Sequence, residues 1–236
     1  MKNYKTEKRF SGDLSQEYAL NELVFPHQKK VHELVGAAIR SHIGGKSANC
    51  LEIGCGTGVT TRAILDSNPG LHLAALDSSS EMIKQARNYL GSQKIEWIES
   101  DALNYLSRIR PESIDVVASA YVFHNFPAEE RIEVLEKVYG SLKPGGLLIN
   151  ADIIYSSNQE ERDSQFNWLA GNLSRYDKLG RPDLKKKWMR HISEDRDASR
   201  ILIDNEFIFQ LNKIGFKSIE RRFRSNSDAV YTAVKQ

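Results

Sequence analysis

Residues 51–58 read LEIGCGTG, with glycine at 54, 56 and 58, a glutamate at 52 and a cysteine at 55. Glycine loses conformational entropy wherever it is held in one shape, so three in five positions need a compensating gain. The flanks say what it is. Asn49–Ile53 (NCLEI) reads as a buried strand, and Val59–Asp66 reads as the start of a helix. A glycine-rich turn from strand into helix lets backbone approach a ligand closely and points free N–H groups at it. Open parallel sheets bind ligands in this place, outside the carboxyl ends of their strands where strand order reverses.

Outward from this turn the chain alternates apolar runs with amphipathic stretches. Leu71–Leu76 reads as a second strand ending at Asp77. Ser79–Leu90 reads as a helix, with Ser79 or Ser80 as cap and Met82, Ile83, Ala86 and Leu90 at helical spacing. Lys94–Ile98 and Ile114–Ala120 read as a third and fourth strand. Pro127–Leu142 reads as a long helix closed by a KPGG turn, and Leu147–Ile154 as a fifth strand. This alternation predicts an α/β fold, a parallel sheet with helices on both faces and right-handed crossovers. Residues 1–45 read as a helical N-terminal cover, with Val31, Leu34, Val35, Ala38 and Ile39 on one face. Residues 156–200 read as a helical lid inserted after the fifth strand. Asp204–Ile214 reads as a closing helix, followed by a hairpin of Lys217–Arg224 and Ala229–Val234. One domain over 1–236 is expected, with its cofactor-binding core in 46–155 and its closing helix and hairpin in 201–236.

The 236 residues suffice for one sizeable core. A net charge of +2 is too mild to argue for nucleic acid by itself. No apolar run approaches the ~18 residues that would span a bilayer, and MKNYKTEKRFSGD lacks the apolar core of a signal peptide. Cys50 and Cys55 offer neither a disulfide framework nor a zinc pattern, and the six histidines are scattered, so no metal is expected. These features place the chain in the cytoplasm.

Three carboxylates sharpen the ligand. Asp77, two dozen residues beyond the first strand, is placed to accept from both hydroxyls of a ribose, and it also suits capping the next helix. Asp101, after the third strand, is placed to accept from an adenine amino group, with the backbone of Ala102 against the ring. Glu52 suits a cationic amine better than a pyrophosphate.

With LEIGCGTG, the stretches ALDSSSEMI, ESDALNY, DVVASAYVFHNF and LKPGGLLIN resemble, in order and spacing, the motifs of class I S-adenosylmethionine-dependent methyltransferases, over roughly residues 45–155. The resemblance implies a three-layer sandwich with a seven-stranded, mostly parallel sheet in the order 3-2-1-4-5-7-6, strand 7 antiparallel. It implies S-adenosyl-L-methionine as cofactor. Glu52 would lie near the methionine amino group. Gly54, Gly56 and Gly58 would line the amino-acid part and ribose, with Cys55 contributing backbone. Asp77 would hold the ribose, Ser78 and Met82 would pack on the adenine, Asp101 and Ala102 would read its edge, and Ser119 would sit beneath the sulfonium. Met82 is equally well read as core.

Methyl transfer from a sulfonium needs nucleophile, methyl carbon and sulfur in line and water excluded; a base is needed only for a protonated acceptor. Tyr121 and His124 are the catalytic candidates after the fourth strand, with Tyr18 from the cover. Tyr18, Tyr121, Asn125, Trp168, Tyr176 and Arg200 are candidates for the acceptor pocket, and His27 is a further one. Packing accounts for His27 and His124 as well. The leading expectation is a transferase acting on a small molecule, with a homodimer allowed. The same motifs also fit attack within the cofactor that releases methylthioadenosine, a tRNA-modifying enzyme similar to those that use carboxy-S-adenosylmethionine, or a module that only holds the cofactor.

Overall fold

A computed structural model describes Leu20 and residues 24–236. Tyr18 and most of the expected N-terminal cover lie outside the described residues. Seven strands form one sheet: β1 (Asn49–Ile53), β2 (His72–Asp77), β3 (Ile95–Glu99), β4 (Ile114–Ala120), β5 (Leu142–Ile153), β6 (Phe216–Ser225) and β7 (Asp228–Lys235). Their order is β3-β2-β1-β4-β5-β7-β6. β7 runs antiparallel to both neighbours, and the other pairs are parallel. This is the expected three-layer topology.

The period-two alternation of strand side chains divides the core in two. Leu51, Ile53, Val117 and Leu148 point to one face, where they meet Val134, Leu135 and Val138 of helix α5 (Ala128–Ser141) and Phe207 and Leu211 of α9 (Asp204–Ile214). Cys50, Val116, Ala118 and Ile149 point to the other, against Val31, Val35 and Ile39 of α1 (Gln28–Ile43) and Ile64 of α2 (Val59–Ser67). A side chain at Gly36 would begin 2.4 Å from the Ala63 carbonyl oxygen, so glycine lets α1 and α2 approach closely. Helix α3 (Ser80–Leu90) is capped by Ser79, whose hydroxyl accepts from the Met82 amide at 3.3 Å.

Two details depart from the sequence reading. The KPGG stretch does not separate helix from strand: β5 starts at Leu142, and its register against β4 shifts between Ile114 and Val116. A five-residue helix, α4 (Ala102–Leu106), follows β3; it is too short to show a period and is marked only by its cap, Asp101.

The lid consists of α6 (Gln159–Asn172), the single turn α7 (Arg175–Lys178) and α8 (Pro182–Asp195). It has its own core of Leu169, Leu173, Tyr176, Leu184, Trp188 and Ile192, joined by Val24 from the N-terminal side. No helix among the described residues is long and apolar enough to cross a membrane.

Candidate functional site

The turn after β1 is held against β2 by its backbone. The amides of Gly54 and Cys55 both donate to the Leu76 carbonyl, at 2.7 and 2.9 Å. Gly54 has φ +72°, and a Cβ there would lie 2.3 Å from the Val122 side chain. Gly56 has φ +52°, and a Cβ there would meet nothing within 4 Å. The first glycine is thus required by a neighbour, while the second fronts open space, as a cradle for a ligand does. The Gly56 amide donates to Asp77 Oδ2 at 2.9 Å and the Ser79 amide to Oδ1 at 2.9 Å. Burial pushes the Asp77 carboxyl above the usual carboxylate range, and these amide bonds oppose the rise.

These groups wall a cavity at the carboxyl edge of β1, β2, β3 and β4. It is lined by Gly54, Gly56, Asp77, Ser78, Ser79, Met82, Ser100, Asp101, Ala102, Ala120, Tyr121, Val122, Asn125 and Phe126, among others. Asp101 caps α4 through its Oδ1, which accepts from the Asn104 amide at 3.1 Å. Met82 is 97% buried and also lines the cavity.

Several candidates stand back from this wall. Glu52 is fully buried behind the turn; its Oε2 accepts from the Thr61 hydroxyl at 2.7 Å, and Oε1 has no hydrogen-bond partner among the described residues. Burial, partly offset by that bond and reinforced by Asp77, pushes its carboxyl up to about 7. Cys55 packs inward on Ala75 and Ile83. A Cβ at Gly58 would meet Leu90 at 2.9 Å, so this glycine serves the contact of the turn with α3. Ser119 is fully buried.

Tyr121 holds φ +60°, a left-handed backbone that a bulky residue adopts only under constraint. Its amide continues the sheet to Ala151 at 2.8 Å, and its hydroxyl donates to Asp228 Oδ1 at 3.0 Å. Burial raises the Asp228 carboxyl to about 6, with the Tyr121 bond opposing and Asp152 adding to the rise.

Tyr121 also borders a second cavity, between core and lid, lined by Phe25, Gln28, His124, Leu169, Trp188, His191 and Asp228, among others. His124 lies here rather than on the first cavity. Its Nδ1 sits 2.5 Å from Asp152 Oδ1, and its backbone amide donates to Asp152 Oδ2 at 3.3 Å.

The structure corrects the lid candidates. Tyr176 is fully buried in the lid core, away from both cavities. Trp168 stacks on His27, with ring centroids 5.6 Å apart. Arg200 donates through Nη1 to the Asn125 carbonyl at 2.5 Å, tying the end of the lid to the segment after β4. Asp152, His191, Asp195 and Asp228 were not singled out in the sequence. Of these only His191 and Asp195 leave a trace, four residues apart on one helix face.

Residues 51–148 match the model of a methyltransferase domain. A carboxy-S-adenosyl-L-methionine synthase of Pseudoalteromonas translucida is 28% identical over 115 residues, 48% of this chain and 48% of that protein. The chain thus spans about half the length of that relative. A malonyl-(acyl-carrier protein) O-methyltransferase of Bacillus anthracis is 23% identical over 219 residues, 88% of this chain and 79% of that one. A solved structure from Methanococcus maripaludis, described as an S-adenosyl-L-methionine-dependent methyltransferase, superposes with a TM-score of 0.64 at 19% identity, covering 100% of this chain and 97% of that one.

Proposed function

We propose that the chain is a class I S-adenosylmethionine-dependent methyltransferase that transfers a methyl group to a small-molecule acceptor by in-line displacement, a reading supported by the methyltransferase-domain match over residues 51–148. The observation that carries the reading is the first cavity, where Gly56, Asp77, Met82 and Asp101 from three strand ends converge on one open space.

The residues present fit the cofactor. In this reading Asp77 accepts from the two ribose hydroxyls, while Gly56 and Ser79 hold its carboxylate in place. Ser78 and Met82 flank the adenine, and Asp101 and Ala102 meet its edge. Gly54 and Gly56 leave room for the amino-acid part. Glu52 acts from behind the turn: its buried carboxylate, with one oxygen unpartnered among the described residues, places negative charge where the cofactor brings an ammonium group. Ser119 backs the end of β4 beneath the sulfonium. When bound, the cofactor supplies a methyl group activated by the positive sulfur.

The acceptor enters from the second cavity, which the first meets at Tyr121. Tyr121 and Asn125 form the common wall, and the lid keeps water out. His124, oriented by Asp152, is the group placed to take a proton from an acceptor that arrives protonated. We infer that residues 1–236 act as one domain in the cytoplasm.

Incubation with methyl-labelled S-adenosylmethionine and a small-molecule extract, followed by mass spectrometry, tests this. S-adenosylhomocysteine together with a labelled small product is the expected result. Methylthioadenosine, or intact cofactor after long incubation, would contradict it. A second reading, modification of the cofactor itself, draws support from the match to a carboxy-S-adenosyl-L-methionine synthase. It predicts a heavier cofactor in the same experiment and no labelled acceptor.

A further inference from the structure

We propose that His124, His191 and Asp195 form a binding site for one divalent transition-metal ion, with Zn²⁺ the best match, at the wall of the second cavity. Their three candidate ligand atoms lie within 4.8 Å of one another, and all three side chains are buried. Asp195 Oδ2 is 3.6 Å from His191 Nε2 and 3.8 Å from His124 Nε2. Both separations are those of close ion-pair contacts, longer than a hydrogen bond. They approach the spacing of ligands around a tetrahedral ion: metal–ligand bonds of 2.0–2.2 Å place neighbouring ligand atoms about 3.4 Å apart. Closing the site draws these atoms together from separations within 4.8 Å.

Two further features point to a metal. His124 engages Asp152 through Nδ1, which leaves Nε2 aimed at Asp195. A carboxylate behind one imidazole nitrogen while the other faces the metal is the usual support of a metal-binding histidine. The surroundings agree. Asp152 and Asp195 are 0 and 2% exposed, so a divalent ion at the site would lie among buried carboxylates. Two imidazoles and one carboxylate suit Zn²⁺ or Fe²⁺ rather than Mg²⁺ or Ca²⁺, which prefer oxygen ligands. Both rings line the cavity, so a fourth position is open to water or to a donor atom of the acceptor, and His124 accepts a proton only in the metal-free protein.

The proposal does not rest on methyl transfer, and metal binding reads it out directly. Untagged full-length protein is freed of metal with a chelator and titrated with Zn²⁺ in a calorimeter. One equivalent bound is expected. His191→Ala and Asp195→Asn are each expected to weaken binding more than tenfold, and Asp152→Asn by about ten- to a hundredfold. His72→Ala, on an exposed position of β2, is expected to bind as the parent does. Co²⁺ added to the parent protein should give the visible absorption of a four- or five-coordinate ion, a readout that needs no variant to fold. No stoichiometric binding by the folded parent, or equal affinity in the His191 and Asp195 variants, overturns the proposal.

Discussion

Asp77 accepts from the Gly56 and Ser79 amides with its own two oxygens and still faces the cavity. Removing it takes away both the ligand contact and the brace of the turn. Asp77→Ala is expected to weaken S-adenosylhomocysteine binding by about ten- to a hundredfold, the loss of one or two hydrogen bonds to a charged group. Unchanged affinity by calorimetry would count against the assignment. Glu52 makes a pH-dependent prediction. Its carboxyl is pushed up to about 7, so ionisation rises steeply between pH 6 and 8. Cofactor affinity should rise roughly tenfold over that interval, and Glu52→Gln should flatten the profile. Without cofactor the sign for stability is the reverse. The raised pKa makes Glu52 contribute stability below its ordinary 4.5 that is lost as pH climbs through about 7. His32, pushed down to about 4 by burial, contributes stability above 6.5 that is lost as pH falls through about 4. Thermal unfolding of Glu52→Gln across pH 5–8 separates the two.

At the scale of elements, the glycines differ in what they allow. Gly56→Val meets open space in the protein, so its cost is the +52° backbone and the blocked cavity. The variant should fold with a modest loss of stability and lose cofactor binding. Gly36→Val drives a side chain into the Ala63 carbonyl and should destabilise by about 1–3 kcal/mol through the separation of α1 from α2, read by denaturant unfolding. Leu184 is fully buried in the lid core, and Leu184→Ala should cost about 2–5 kcal/mol of lid stability, seen as faster hydrogen exchange in α6 and α8. The elements legible in the sequence are those with strong periods or clear stops. β1, β4 and α9 fall on the bounds that their apolar runs and flanking residues mark. The KPGG stretch misled because glycine and proline usually end strands, whereas here an irregular register absorbs them.

For the whole molecule, order along the chain was the legible part. Strand–helix alternation and five spaced motifs led to the sheet topology, because crossover handedness leaves few ways to arrange such units. The candidates on strand ends fell near the first cavity for the same reason: Asp77, Ser78, Met82, Asp101, Ala102 and Tyr121 all line it. The lid was opaque. Nothing in its spacing distinguishes Tyr176, buried in the lid core, from Trp188, which borders the second cavity, because that depends on how α6 and α8 pack. The convergence of His124 with His191 and Asp195 likewise joins residues 67 and more positions apart. Whether the strand-end cavity holds the adenosyl cofactor is decided by a crystal structure of the protein grown with S-adenosylhomocysteine. The prediction is density between the 54–58 turn and α4, with both ribose hydroxyls on Asp77; density elsewhere, or none at saturating concentration, would contradict it.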